Sequence, residues 1–165
     1  MKIALIGTHW VGKSTTLEAL SIEPQIKEVA RQLLSEWYEQ WTEEFQRAVL
    51  KKQIQAENAH SKFITDRSVW DNLAYTRYIS EDLYQELLPI ARQQKYDLLF
   101  FIPIQFPIQD DWLRPQDEQF QKDIQDILLK ILKEEWLRYY EVMGYLDERV
   151  SYIREVLCGK LWNRF

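Results

Sequence analysis

The pattern of apolar and polar positions predicts strands and helices that alternate along the chain. Short apolar or β-branched runs predict strands at 2–6, 62–66, 96–102 and 139–143. Apolar residues at helical spacing predict helices at 14–20, 26–37, 42–56, 68–79, 81–94, 120–132 and 147–157, the second of which opens on a short strand near 25–28. This alternation indicates an α/β protein of three layers, in which helices cover both faces of a mainly parallel, five-stranded sheet. Ligands bind beyond the carboxyl ends of the strands in such sheets, so the residues that follow each strand are the first candidates for chemistry.

The strand at 2–6 leads directly into a glycine-rich loop with the spacing of a P-loop, and a helix follows. The loop consists of Gly7, Thr8, His9, Trp10, Val11, Gly12, Lys13 and Ser14, with Thr15 next. Glycines let successive backbone N–H groups point at phosphates, and the helix N-terminus attracts the same anion. At this spacing Lys13 reaches the β- and γ-phosphates and the Ser14 hydroxyl coordinates Mg²⁺. We therefore predict a P-loop NTPase fold that binds a nucleoside triphosphate, with no separate chemistry for the side chains of His9 and Trp10.

Composition narrows the class of protein. The chain has 165 residues, which suits one domain spanning 1–165, and its formal net charge is −5. Because no run of Lys and Arg is present, we expect neither an extensive nucleic-acid surface nor binding to an anionic membrane. The start of the chain has the features of neither a signal peptide nor a membrane span, and Cys158 is the single cysteine. These features predict a cytoplasmic protein without an internal disulfide.

The strand at 62–66 ends on Asp66, which Arg67 follows. An aspartate at the end of a buried strand beside a P-loop is well placed to hold Mg²⁺ or its waters. Arg67 is suited to gripping an acceptor phosphate or to stabilising charge on the transferred group. The alternative is a helix cap with a surface arginine.

A second carboxylate and arginine, Glu28 and Arg31, follow the short strand near 25–28. Glu28 is suited to accept a proton from an attacking hydroxyl, and Arg31 to bind an anionic acceptor. A solvated ion pair on an amphipathic helix explains the same residues almost as well. Three nearby aromatic residues, Trp37, Tyr38 and Trp41, are compatible with a wall for an acceptor base, although packing in the core is the favoured interpretation.

These residues together resemble the P-loop nucleoside and nucleotide kinases over the whole chain. The segment 66–75 is similar to the thymidylate kinase signature, from which Asp71 and Thr76 depart. The layout is more similar to the small AAA-type ATPase and kinase family that includes the nicotinamide riboside kinase domain of bacterial NAD regulators. That resemblance is carried by the P-loop and by the segments 28–31, 66–68 and 110–120, with Trp112 where the family usually has glycine.

The resemblance implies further site residues. A short lid at about 105–120 would close over ATP and bring Arg114 to the phosphates, which excludes water only in the closed state. An ordinary loop arginine paired with a neighbouring aspartate is the alternative for Arg114. The family also places a loop that contacts adenine near 144–149, which implies Arg149 at the base, and the signature implies Tyr75 in the acceptor site.

We therefore predict an ATP- and Mg²⁺-dependent phosphotransferase acting on a small nucleoside or nucleoside monophosphate. Glu28 suits an acceptor that reacts through a hydroxyl group, whereas Arg31 and Arg67 suit a monophosphate. The residues therefore leave the identity of the acceptor open. A regulatory P-loop ATPase without a small-molecule acceptor and a kinase acting on polynucleotide ends are the alternatives. The sequence also leaves open whether the protein is a homodimer.

Overall fold

The structure, a computed structural model, describes residues 1–34, 41–106 and 118–162, with side chains described as far as residue 159. Twelve elements follow one another in the order β1 (Lys2–Ile6), α1 (Lys13–Leu20), β2 (Gln25–Ile26), α2 (Val29–Leu34), α3 (Glu43–Asn58), β3 (Phe63–Asp66), α4 (Val69–Ile79), α5 (Glu81–Ala91), β4 (Leu98–Phe101), α6 (Glu118–Glu134), β5 (Tyr140–Glu141) and α7 (Leu146–Trp162). None of these helices is both long enough and apolar enough to cross a membrane.

The five strands form one sheet in the order β2-β3-β1-β4-β5, and every neighbouring pair is parallel. The predicted five-stranded α/β architecture is therefore confirmed. The strand that leads into the P-loop lies in the middle, between β3 and β4. Because parallel strands need crossover connections, helices cover both faces, and every residue of the three central strands except Lys2 is buried.

Each face of the sheet has its own hydrophobic core, since side chains alternate across a strand. Ala4 and Ile6 of β1 pack on one side with α4, α5 and α6. Ile3 and Leu5 pack on the other side with α1 and α7. All four side chains are at most 3% exposed. This alternation from a single strand produces the three layers that the sequence predicts.

The ends of several elements differ from the prediction. The strands predicted at 96–102 and 139–143 reduce to Leu98–Phe101 and Tyr140–Glu141. Tyr96 precedes its strand, and its hydroxyl donates to the buried carboxylate of Glu57 at 2.7 Å. The strand β5 stays short because it lies at the edge of the sheet and pairs with β4 alone. The helix predicted at 26–37 is preceded by a true strand, and its described part ends at Leu34.

Parallel register places the predicted site residues at one edge of the sheet. Leu5 of β1 lies beside Asp66 of β3, and the Arg67 N–H donates to the Leu5 carbonyl at 3.0 Å. The strand β2 pairs with β3 in the same direction, so Glu28 emerges at this edge too. Three segments that are distant in sequence are therefore neighbours at the carboxyl ends of their strands.

We predict that Gly7→Ala destabilises the protein by about 2–4 kcal/mol. Gly7 has a φ of 143°, and a Cβ at this position would collide with the Ile102 carbonyl oxygen of the adjoining chain segment. The free energy of unfolding from urea titrations measures the effect.

Gly159→Ala is the matched control, because an added Cβ there meets no atom within 4 Å. Gly159 lies within α7, so this substitution is expected to stabilise the protein by about 0.5–1 kcal/mol. Equal effects of the two substitutions would contradict the steric explanation.

Candidate active site

The P-loop curls around the ammonium group of its own lysine. Gly12 takes a left-handed conformation with a φ of 85° immediately before α1 begins at Lys13. The Lys13 Nζ donates to the carbonyl oxygens of Gly7, at 2.9 Å, and Thr8, at 2.5 Å. Lys13 is 5% exposed, and this burial, together with the nearby Arg67, lowers its pKa to about 8. An anion that enters the loop would therefore meet a lysine that is already inside the site.

Ser14 and Asp66 provide oxygen atoms on the other side of the loop. The Ser14 hydroxyl donates to Oδ2 of Asp66. Oδ1 of Asp66 is buried and accepts no hydrogen bond within the part of the chain that the structure describes. The described residues contain no cluster of three or more His, Cys, Asp or Glu side chains that could hold a metal alone. This pair fits Mg²⁺, since that ion usually takes few protein ligands and completes its shell with phosphates and water.

Glu28 joins the two arginines that the sequence singles out. Its Oε1 accepts from Nε of Arg67 at 2.7 Å, and its Oε2 accepts from Nε of Arg31 at 3.1 Å. Burial opposes the charge on Arg67, but the adjacent Glu28 carboxylate is the main cause that raises the pKa of Arg67 well above its ordinary value. Arg67 also lies over the ring of Tyr75, with its Cζ 5.2 Å from the ring centroid. One carboxylate therefore orients both cations.

Asp71 connects the P-loop to the turn between β3 and α4. Its Oδ1 accepts from the Gly7 N–H, and its Oδ2 accepts from both the N–H and the hydroxyl of Ser68, all at 2.8 Å. Burial raises the pKa of Asp71, while Lys13 and Arg67 oppose that shift. In the sequence, Asp71 stands out only as a departure from the thymidylate kinase signature. Its Ser-x-x-Asp spacing from Ser68 is the signal that indicates a helix-capping role.

Two neighbouring cavities adjoin the P-loop. Residues 10–16 line the first, the phosphate-facing cavity, and the second is named the acceptor cavity after the role proposed for it below. Its aromatic lining includes Trp41, Tyr75 and Phe120, and the Trp41 and Phe120 rings meet edge to face with centroids 4.9 Å apart. Trp41 thus belongs to the cavity wall and also packs on the core. Glu28 and Arg67 line both cavities and form the boundary between them.

His9 extends from the P-loop into the acceptor cavity, a placement that sequence reasoning missed. Its backbone N–H donates to the Tyr75 hydroxyl at 3.1 Å, and its Nδ1 lies 2.9 Å from the same oxygen. Its ring centroid is 5.4 Å from that of Phe120. The side chain points away from the phosphates, as the loop geometry implies, but it reaches the neighbouring cavity.

The far end of the phosphate-facing cavity is aromatic. Phe106 and Tyr145 stack with centroids 5.3 Å apart, and both line this cavity. Arg149 is buried and donates to the carbonyls of Gly144, at 2.8 Å, and Val11, at 2.6 Å. Arg149 therefore braces the P-loop in this structure, while the aromatic pair offers a surface for a base. Tyr145 falls within the segment 144–149 that the resemblance implies at the base, and Phe106 within the predicted lid, but no sequence pattern pointed to their stacking.

The remaining predicted site residues occupy the following places. Trp10 and Thr15 line the phosphate-facing cavity, and Thr8 is buried beside His9. Arg114, most of the predicted lid, and both Trp37 and Tyr38 lie outside the described residues. Their roles stay predictions.

Comparisons with known proteins agree with this fold. The chain belongs to a family of AAA domains, whose model matches residues 2–149. No curated protein sequence shows a significant match. The fold is that of the P-loop nucleoside and nucleotide kinases, as the following solved structures show.

The chain is similar to a NadR protein solved in complex with NR, with 19% identity, a TM-score of 0.78, and coverage of 93% of this chain and 50% of that one. A deoxyadenosine kinase from M. mycoides gives 14% identity, a TM-score of 0.69, and coverage of 96% and 99%. A thymidylate kinase from Candida albicans gives 22% identity, a TM-score of 0.67, and coverage of 96% and 91%. The chain spans about half the length of the NadR structures that it matches.

We expect the affinity for a non-hydrolysable ATP analogue to fall as the pH rises through about 8. The triphosphate requires the charged form of Lys13, whose pKa in the protein without nucleotide is about 8. Each pH unit above this value should weaken binding by up to about tenfold, whereas binding should change little below about pH 7. Calorimetric titration between about pH 7 and pH 9 measures the dissociation constant.

Lys13→Arg provides the control, because a guanidinium stays charged over this range. Its binding should be weaker overall and independent of pH. A constant dissociation constant for the unaltered protein across the range would contradict the assignment to Lys13.

Proposed function

We propose that this protein transfers the γ-phosphate of ATP, in the presence of Mg²⁺, to a hydroxyl group of a nucleoside. One observation carries the proposal: Glu28 and Arg67 lie at the boundary of a phosphate-facing cavity and an apolar cavity lined by aromatic rings. Phosphoryl transfer needs mainly positioning and charge stabilisation, and a boundary of this kind provides both.

The charges favour a nucleoside over a monophosphate as acceptor. Arg67 is the single lysine or arginine among the described residues that line the acceptor cavity, and it is paired with Glu28. Arg31 is also paired with Glu28. A dianionic phosphate would meet the Glu28 carboxylate at the boundary of the two cavities. It would have to displace this carboxylate from both arginines. A neutral sugar hydroxyl would instead meet an acceptor for its proton.

Each residue has a role that follows from its position. Glu28 accepts the proton of the attacking hydroxyl, because its carboxylate lines both cavities at the point where acceptor and donor would meet. Lys13 and Arg67 stabilise the negative charge on the transferred group, together with the N–H groups of the loop. Ser14 and Asp66 would hold Mg²⁺, which neutralises phosphate charge when bound. The stacked pair Phe106 and Tyr145 supports the donor base.

A transfer assay with labelled ATP tests the reaction class. With a panel of nucleosides, nucleoside monophosphates and oligonucleotides, we expect label to appear on at least one nucleoside at a rate well above that for its monophosphate. Label released only as free phosphate, whatever acceptor is present, would overturn the proposal in favour of an ATPase. Label on oligonucleotide ends alone would indicate a polynucleotide kinase.

Glu28→Gln should lower kcat for the nucleoside by about 10²–10⁴-fold, because the amide cannot accept the proton. Binding of the ATP analogue should change little, since the loop and Lys13 are intact. Steady-state kinetics and calorimetry measure the two effects separately.

Glu18→Gln is the control, as Glu18 lies on the exposed side of α1 and its side chain pairs, within the described ranges, with Lys27 alone, at 3.8 Å. It should retain full activity. A kcat that is unchanged in Glu28→Gln would remove Glu28 from the reaction.

A further inference from the structure

Three amide side chains stand out in the wall of the acceptor cavity. Gln46 and Gln53 of α3 and Asn72 of α4 all line the cavity. They are 2%, 3% and 6% exposed, respectively. A buried amide is unfavourable unless its donors and acceptors are paired, so the partners of each amide are informative.

Gln53 is bound to the protein itself. Its Nε2 donates to Oε1 of Glu57 at 2.8 Å and to the Thr65 hydroxyl at 3.1 Å. Burial raises the pKa of Glu57, and the same carboxylate accepts from the Tyr96 hydroxyl. Gln53 therefore belongs to a network that fixes α3 against β3, and its amide donor is already used.

Gln46 and Asn72 form a pair that is only half satisfied. Nδ2 of Asn72 donates to Oε1 of Gln46 at 3.1 Å. Oδ1 of Asn72 is buried and finds no hydrogen-bond donor within the described ranges. The N–H groups of the Gln46 amide are not used in this contact. The pair therefore leaves one acceptor and one amide donor in the wall of a cavity that is otherwise largely apolar.

The shape of the cavity limits what can use this pair. The volume of its interior is about 60 Å³, which is room for about four waters. That space is comparable to one flat ring. Trp41, Tyr75 and Phe120 provide aromatic surfaces for such a ring.

We propose that Gln46 and Asn72 recognise the polar edge of a single-ring heterocycle, an edge that carries a hydrogen-bond donor next to an acceptor. This inference rests on the proposed nucleoside kinase function and names its substrate class. The ligand donates to Oδ1 of Asn72 and accepts from Nε2 of Gln46. The amide-type edge of a pyrimidine base and a carboxamide on a pyridine ring both present this chemistry.

Because Oδ1 of Asn72 is an unpaired hydrogen-bond acceptor, the site should discriminate between heterocycles with and without the matching donor. A heterocycle without the donor leaves Oδ1 of Asn72 buried and unpaired, so binding loses that hydrogen bond while the protein gains nothing in return. A site built to pair a polar edge therefore rejects the analogue that lacks it more strongly than an apolar cavity could.

The test compares matched ligands and measures binding without ATP as well as phosphoryl transfer. Pyrimidine nucleosides, a pyridine-carboxamide riboside and purine nucleosides are each paired with an analogue lacking the exocyclic amino, oxo or carboxamide group. We expect a single-ring parent to bind about 30-fold more tightly than its analogue. The parent that binds more tightly than its own analogue identifies the heterocycle that supplies the polar edge.

The double substitution Gln46→Met with Asn72→Leu removes both partners with similar side-chain shape. It should weaken binding of the parent by about 30-fold and change that of the analogue by less than about threefold. Gln46→Glu is a second variant that keeps the acceptor for Asn72 and removes the donor to the ligand. It should also reduce discrimination, by about tenfold. Thermal unfolding and binding of the ATP analogue show that each variant is folded.

Gln85→Leu is the matched control, since this exposed amide on α5 donates to Glu81 and to no other residue that the structure describes. It should leave both affinities unchanged. Equal binding of parents and analogues would overturn this inference, and so would discrimination that survives the double substitution. Transfer of phosphate to nucleosides would still support the proposed function in either case. Tighter binding of purine nucleosides would overturn the single-ring assignment.

The two proposals can also fail separately in the other direction. Discrimination in binding without any transfer of phosphate would support the amide pair and overturn the proposed kinase activity. If no member of the panel binds to the unaltered protein, both proposals are wrong.

Discussion

Charge balance at the carboxyl edge of the sheet is the constraint on which the rest of the site depends. Lys13 and Arg67 face Glu28, Asp66 and Asp71 there, and all five side chains are at most 9% exposed. A buried charge is costly without a partner, and removal of one member of such a group leaves another uncompensated. The P-loop, the end of β3 and the residue before α2 must therefore take their positions together. The carboxylates favour the charged form of Lys13 inside the loop, although burial lowers its pKa.

Asp71 connects two of these segments through hydrogen bonds. It holds the first glycine of the P-loop against Ser68, so the donor loop and the β3–α4 turn share one anchor. Arg67 follows β3 with a left-handed φ of 82°, a conformation that is unfavourable for a side chain of this kind. The ion pair with Glu28 and the contact with Tyr75 balance that strain. Rigid positioning of this kind suits phosphoryl transfer, in which orientation and electrostatics provide most of the rate enhancement.

The two cavities differ in the physical basis of recognition. The phosphate-facing cavity relies on charge and backbone N–H groups, which suit any nucleoside triphosphate. The acceptor cavity is apolar and carries few polar groups, the arrangement that gives small-molecule sites their specificity. His9 links the P-loop to the acceptor cavity, because its backbone lies in the loop and its ring packs beside Tyr75 and Phe120. An acceptor in the cavity would contact the same loop that holds the donor phosphates.

The sequence by itself determined the order of the elements, the three-layer fold and the place of the P-loop after the first strand. Those features are local: a P-loop is contiguous, and alternation along one strand reveals two covered faces. Strand ends were overestimated, since apolar runs do not show where pairing stops. Only the tertiary structure decided that Arg31 and Arg67 share Glu28, which changes them from free anion binders to oriented partners of a carboxylate. Only the packing of α3 on α4 brought Gln46 to Asn72. The Arg67–Glu28 and Asn72–Gln46 contacts join residues 39 and 26 positions apart, and no spacing along the chain encodes them, because the meeting of two side chains on separate elements depends on how those elements pack.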